Sequence, residues 1–145
     1  MATLTALLAP TRGIGNPSRK PYMQELTIDL TAQAIDCSSG DIVQCITVPG
    51  NTVILWTGVQ VMESATQDTG TDATILLGTA IDPNEYVTAF DIDGASDLAY
   101  APTVAQAGVL VSATADTLDL TFAGSGATFT AGKLRVFAML MDVSE

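Results

Sequence analysis

Apolar and polar residues alternate in several segments of this chain, and the first clear segment covers residues 22–32. Leu26, Ile28 and Leu30 fall on one side of an extended backbone, and polar residues occupy the positions between them. A period of two residues is typical of a β-strand with one buried and one exposed face. The pattern therefore predicts a half-buried strand between Tyr22 and Ala32.

The stretch from Asp41 to Glu63 holds the densest apolar pattern. It reads DIVQCITV, then PGN, then TVILWTGVQVME, so two runs rich in β-branched residues flank a short break. β-Branched side chains are restricted in helices and favour sheets. Pro49 lacks an amide hydrogen and Gly50 tolerates a positive φ angle, which favours a turn at the break. The stretch is predicted to form a β-hairpin or two sequential strands of a sandwich, with a bulge near Gly58.

Further strand-like segments follow at short intervals, separated by turns rich in Gly, Pro, Asp and Ser. They cover residues 73–80, 85–92, 109–113, 116–122 and 133–143. The weakly patterned region 93–106 is compatible with a short helix or a crossing loop. About eight strands with short turns favour an all-β fold, an antiparallel β-sandwich or jelly-roll-like domain from about Tyr22 to Val143.

The last predicted strand is apolar on both faces. Leu134, Val136 and Leu140 point to one side, and Phe137 and Met139 lie among the residues that point to the other. Both faces are therefore expected to be covered. A subunit interface in a homo-oligomer would cover the second face, and so would other parts of the same chain.

Residues 1–21 have a different character from residues 22–145, which form the predicted sandwich domain. They contain three prolines and two glycines, which break regular structure: Pro10, Pro17, Pro21, Gly13 and Gly15. They also contain Arg12, Arg19 and Lys20, three of the five cations of the chain. A disordered terminus can have such a composition. The segregated charge favours an extended N-terminal arm whose three cations bind an acidic neighbour, such as a second copy of the chain.

Composition narrows the classes of partner. The formal net charge is −11, with 16 acidic against 5 basic residues. Nucleic-acid binding depends on Lys and Arg that neutralise phosphates, and binding to an anionic membrane also needs basic residues. Neither partner is expected. Only 14% of the residues are charged, against about 25% in ordinary domains. Either neighbours cover part of the surface, or small polar residues make up much of it.

No catalytic motif is recognisable, and histidine is absent. The usual general base and the commonest transition-metal ligand are therefore missing, so an enzyme, a cofactor and a small-molecule substrate are not expected. Asp91–Asp97 resembles part of a calcium loop, but Pro102 stands where an EF-hand requires a bidentate Glu, so an acidic turn is favoured over a metal site. Cys45 is expected in the core, while a bond between Cys37 and Cys45 stays open.

The order of the strand and turn motifs resembles small virion proteins of tailed bacteriophages, the capsid decoration or cement proteins and related minor structural proteins. There are five motifs: a Gly-Asp pair before an apolar run (Gly40-Asp41), a P-x-N-T turn (Val48–Thr52), a G-x-x-x-D segment (Gly78–Tyr86), a D-T-L strand (Asp116–Leu120) and a final G-x-L-x-V strand (Gly132–Asp142). The resemblance covers residues 22–145, and Gly50 departs from it where Ala is common.

The resemblance implies a non-enzymatic virion structural protein that binds and stabilises the phage head shell. It implies the major capsid protein as partner, a homotrimer as the assembly, and a location on the head surface after assembly in the host cytoplasm. A phage tail, neck or fibre-base protein and a secreted β-sandwich binding or adhesin module are the alternatives.

Overall fold

The computed structural model describes residues 3–5, 20–31, 37–70, 72–93, 100–101, 111–125 and 128–144, and within these it contains strands and no helix. The strands are β1 (Thr3–Thr5), β2 (Tyr22–Asp29), β3 (Ile42–Val48), β4 (Thr52–Gln67), β5 (Ala73–Gly78), β6 (Val87–Asp91), β7 (Tyr100–Ala101), β8 (Val111–Ser112), β9 (Asp116–Gly124) and β10 (Phe129–Asp142). They confirm the all-β prediction.

Two sheets form the sandwich. The first sheet has the order β1-β3-β9-β5-β6, and the second has the order β2-β10-β4-β7, with β8 also paired to β4. All the pairings are antiparallel except that of β1 with β3. The predicted antiparallel β-sandwich is thus confirmed, with one parallel strand added at an edge.

β3 and β4 are sequential strands of the sandwich and do not form a hairpin. β3 pairs with β9 in the first sheet, whereas β4 pairs with β10 in the second, so the turn at residues 49–51 carries the chain between the sheets. Asn51 has the positive φ angle of this turn, 56°, in place of Gly50. Gly50 is needed for space, because a methyl group there would lie 2.9 Å from the carbonyl oxygen of Ala113.

The core lies between the sheets and is built from the alternating residues that the sequence indicates. Leu26 and Ile28 enter it from β2, and Leu118, Leu120 and Phe122 enter it from β9. The rings of Phe122 and Phe129 meet edge to face with centroids 5.0 Å apart. Cys37 and Cys45 are buried free thiols, which confirms the core position of Cys45.

β10 is the central strand of the second sheet, because it pairs with β2 on one side and β4 on the other. Its inner residues Leu134, Val136, Ala138 and Leu140 are fully buried. At Gly132 the strand departs from regular register, with φ of 131°, and the backbone passes so close to β4 that a methyl group would lie 2.8 Å from Cα of Ala65.

β1 differs from the predicted arm in one respect. Thr3–Thr5 pair in parallel with Ile42–Gln44 of the same chain, so this part is ordered without a neighbouring subunit. Residues 1–2 and 6–19 lie outside the described residues, and so do 94–99 and 102–110 of the weakly patterned region. The division into an arm of residues 1–21 and a domain of residues 22–145 stays a prediction.

Candidate functional site

The outer face of the second sheet is divided into a charged end and an apolar end. Lys133 lies between Asp29 and Glu63, which are its partners on the two neighbouring strands. Its Nζ atom is 2.8 Å from Oε1 of Glu63 and 3.6 Å from Oδ2 of Asp29. The hydrogen bond to Glu63 raises the pKa of Lys133. These exposed ion pairs set the polarity of this end and contribute little to stability.

The apolar end of the same face is a row of three side chains that share one register. Met23, Met139 and Trp56 lie opposite one another on β2, β10 and β4. Met23 and Trp56 are 51% and 39% exposed. Phe137 occupies the next outward position on β10, and these four residues are called the apolar face below.

Phe137 is buried, although it points outward. Gly58, its partner on β4, has no side chain, and Trp56 covers the vacant space. The two rings have centroids 4.9 Å apart and planes inclined at 43°. The second face of β10 is therefore covered in part by the chain itself, and the remainder of the apolar face is accessible.

An acidic groove lies at the end of the sandwich where β3 finishes and β4 begins. Its volume is about 270 Å³, and it is lined by Val48, Thr52, Ile54, Thr79, Ile81, Asp82, Glu85, Tyr86, Asp116 and Thr117. This described lining has three carboxylates and no cation. Burial, with Glu85 and Asp116 nearby, raises the pKa of Tyr86 to about 12. The groove thus combines an apolar floor with negative charge.

The loop between β5 and β6 supplies half of the groove and is fixed by its own hydrogen bonds. The Thr79 amide donates to the Asp82 carbonyl at 2.9 Å, and the Thr79 hydroxyl donates to Oε2 of Glu85 at 3.3 Å. Gly78 is required, because a methyl group there would overlap the Asp82 carbonyl oxygen. Ile81 stands at the tip, 92% exposed.

The described residues contain no group of three or more Cys, Asp or Glu side chains placed to hold a metal ion. Asp91 and Asp93 serve the backbone: Oδ1 of Asp91 accepts from the Asp93 amide, and Oδ2 of Asp93 accepts from the Ala73 amide, both at 3.0 Å. Asp97 lies outside the described residues. Since the described part of the chain has no helix, none is available to cross a membrane.

The predicted interaction residues are only partly placed. Lys20 is exposed just before β2, while Arg12 and Arg19 lie outside the described residues. Neither the apolar face nor the acidic groove was identified from the sequence pattern. The sequence does hold one signal for the apolar face. Met23, Glu25 and Thr27 share the outer face of β2, and Met23 is the apolar one among them. The groove has no such signal, because its lining comes from four separated segments.

No family model matches the chain, and no curated protein matches it either. Solved structures do share its fold. A chain of the cyanophage Pam1 capsid asymmetric unit superposes with a TM-score of 0.63 at 20% identity, covering 93% of this chain and 91% of that one. A chain of the capsid of Ralstonia phage GP4 gives a TM-score of 0.69 at 18% identity, over 99% and 100% of the two chains.

A chain of the acidic stable capsid structure of Helicobacter pylori bacteriophage KHP30 gives a TM-score of 0.59 at 9% identity, over 86% of this chain and 89% of that one. The resemblance predicted from the sequence is thus confirmed at the level of the fold.

Proposed function

We propose that this chain is a non-enzymatic structural protein of a bacteriophage virion, and specifically a decoration, or cement, protein that binds the major capsid protein and stabilises the head shell. The observation that carries the proposal is the shared fold, which extends over nearly the whole of this chain and of its counterparts in phage capsid structures. A rigid sandwich with an exposed apolar face suits a protein that works by contact.

The proposed assembly is a homotrimer in which the apolar face of one copy packs against a second copy. Met23, Trp56 and Met139 form one continuous apolar row, and methionine and tryptophan are enriched in interfaces. A closed assembly of identical copies needs only such a patch and a complementary surface. We also propose that Arg12, Arg19 and Lys20 of the arm bind carboxylates.

Sedimentation of the full chain tests the interface. Met23→Glu places a charge in the apolar row and is expected to weaken association about tenfold or more, which corresponds to about 1.4 kcal/mol. Thr27→Glu adds the same charge on the same strand and face, within the charged end, and is expected to change association little. If the wild-type chain sediments only as a 15.0 kDa species, or if both variants behave alike, the proposed interface is wrong.

The virion role is tested on particles of the phage that encodes this sequence. Mass spectrometry of purified virions is expected to detect the chain, and antibody labelling is expected to mark the surface of the head. The chain is further expected to bind empty shells made from the major capsid protein of that phage. Labelling of the tail or neck would contradict decoration, and absence from virions would contradict a virion role.

A further inference from the structure

The acidic groove contains a polar group that the described residues leave unsatisfied. Thr52 lines the groove and is 1% exposed, and its hydroxyl has no hydrogen-bond partner. A buried hydroxyl without a partner costs about 1–3 kcal/mol, so such groups are normally satisfied. Because the lining of the groove also holds three carboxylates and several apolar side chains, the groove has the chemistry to receive a ligand with donors, positive charge and apolar side chains.

The path of the chain brings its own basic segment to this end of the sandwich. β1 runs parallel to β3, so the chain leaves Thr5 in the direction of Val48, which lines the groove. β2 begins at Tyr22, which pairs with Leu140, and Leu140 pairs with Ile54, a second lining residue. Tyr22 is therefore two strands, or roughly 10 Å, from Ile54. The described strands on either side of segment 6–19 thus lead toward the groove end of the sandwich.

The composition of segment 6–19 complements the groove. It carries Arg12 and Arg19, with Lys20 immediately after it, against Asp82, Glu85 and Asp116 of the groove. It also carries Leu7, Leu8 and Ile14. When extended it spans up to roughly 46 Å at about 3.3 Å per residue, ample for a path across the groove and back to β2. The volume of about 270 Å³ is below the roughly 300–1,000 Å³ of small-molecule pockets, which favours a few peptide side chains.

We propose that the acidic groove is the docking site of the chain's own segment 6–19, with the guanidinium of Arg12 bound by the carboxylates of the groove and apolar side chains of the segment on its floor. Arg forms bidentate hydrogen bonds with carboxylates, and the buried hydroxyl of Thr52 gains a partner from the segment. The docked segment neutralises the negative end of the sandwich and joins the edges of the two sheets. This inference is independent of the proposed virion role.

Tryptic cleavage after Arg12 in the full chain tests the docking. Docking holds the scissile bond away from the protease, so Asp82→Asn combined with Asp116→Asn is expected to accelerate cleavage several-fold. The amide oxygens can still accept the backbone hydrogen bonds of Asn84 and Thr117 that the carboxylates accept. Asp72→Asn makes the same type of change at the start of β5, the opposite end of the sandwich, and is expected to leave the rate unchanged. Equal rates in all three proteins overturn the proposal.

Thr52→Val gives a second readout whose sign depends on docking. If the segment satisfies the hydroxyl, the valine variant loses that bond and cleavage after Arg12 becomes faster. If the groove is vacant, the variant loses only an unsatisfied group, so the free energy of unfolding increases and the cleavage rate stays the same. The second result overturns the proposal.

A mixing experiment distinguishes the chain's own segment from that of a second copy. The Asp82→Asn, Asp116→Asn chain is labelled with ¹⁵N and refolded together with an excess of Arg12→Gln chains, which have intact grooves. Cleavage of the labelled chain after Arg12 is expected to remain fast, because its own groove cannot hold its segment. Protection of the labelled chain by the excess grooves would show docking between copies and would overturn the assignment to the same chain.

Discussion

The indole of Trp56 lies against the ring of Phe137, with centroids 4.9 Å apart and planes inclined at 43°, on the outer face of the second sheet. Phe137 is only 6% exposed there, although its own register position points away from the core. Trp56 therefore keeps an outward-facing aromatic ring out of water, while Trp56 itself stays 39% exposed.

Removal of the indole should destabilise the monomer to a limited extent. Trp56→Ala exposes Phe137 and ends a ring pair of a kind that contributes about 0.5–1.5 kcal/mol, so a loss of about 1–2 kcal/mol is expected in urea denaturation followed by circular dichroism. Leu55→Ala, at a neighbouring residue that is 40% exposed, is the control and should change stability by less than about 0.5 kcal/mol. Equal losses in the two variants would mean that the ring contact has no special weight.

Ala substitutions at Gly132 and Gly40 separate two costs to stability, that of an unfavourable backbone conformation and that of steric overlap. Both have positive φ angles, 131° and 91°, but a methyl group at Gly132 would lie 2.8 Å from Cα of Ala65, whereas one at Gly40 would meet nothing within 4 Å. Gly40→Ala should cost about 1 kcal/mol from backbone strain alone, and Gly132→Ala should cost about 2–4 kcal/mol, since β10 must move away from β4. Chemical denaturation measures both. A smaller loss for Gly132→Ala would contradict the close approach.

Both thiols should be protected from reagents in the folded protein. Cys37 and Cys45 are buried, and burial raises the pKa of Cys45, so little reactive thiolate is present. A colorimetric thiol reagent is expected to react slowly with the native chain and to titrate two thiols after denaturation without reductant. Detection of fewer than two thiols in the denatured chain would contradict the absence of a disulfide between Cys37 and Cys45.

The sequence predicts those parts of the fold that depend on local pattern. Alternation identifies β2 and the inner residues of β9. One face of each strand is buried, so apolar residues recur at every second position of its sequence. The pattern cannot distinguish a hairpin from a change of sheet at Pro49, since Val48 and Val53 are buried in either arrangement. The register of β4 against β10 shifts near Leu55 and again between Val61 and Gln67, so the prediction of a bulge at Gly58 is wrong. Gly58 stays in register and makes room for Trp56 over Phe137.

The two candidate sites were not predictable for a related reason. The apolar face joins Met23, Trp56 and Met139, which are far apart in sequence and meet only through strand register. The groove joins the ends of β3 and β4 to the start of β9 and the loop before β6. The charge of the arm was evident from Arg12, Arg19 and Lys20, but a carboxylate surface on the same chain emerges only when the sandwich is folded.

Asp119 should make the stability of the fold depend on pH. It is 4% exposed on β9, and Oδ1 accepts a hydrogen bond from the Thr117 hydroxyl at 2.6 Å. Burial raises the pKa of Asp119, the Thr117 hydrogen bond lowers it, and the charge of Asp116 raises it, with a net upward shift from 3.8. Because the folded state holds this proton more tightly than the unfolded state, the ionised carboxylate opposes folding at neutral pH and the opposition fades as pH falls through the folded-state pKa.

Asp119→Asn should therefore increase the free energy of unfolding at pH 7, since the amide is uncharged and its oxygen can still accept from Thr117. The difference from the wild type should shrink as the pH is lowered toward about 4, near the ordinary range for aspartate. Urea denaturation at both pH values measures the change, and the exposed Asp72→Asn variant shows the effect of a lost surface charge. An Asp119→Asn variant that is less stable at pH 7, or a difference that grows on acidification, would mean that the charged form of Asp119 is favoured in the folded protein.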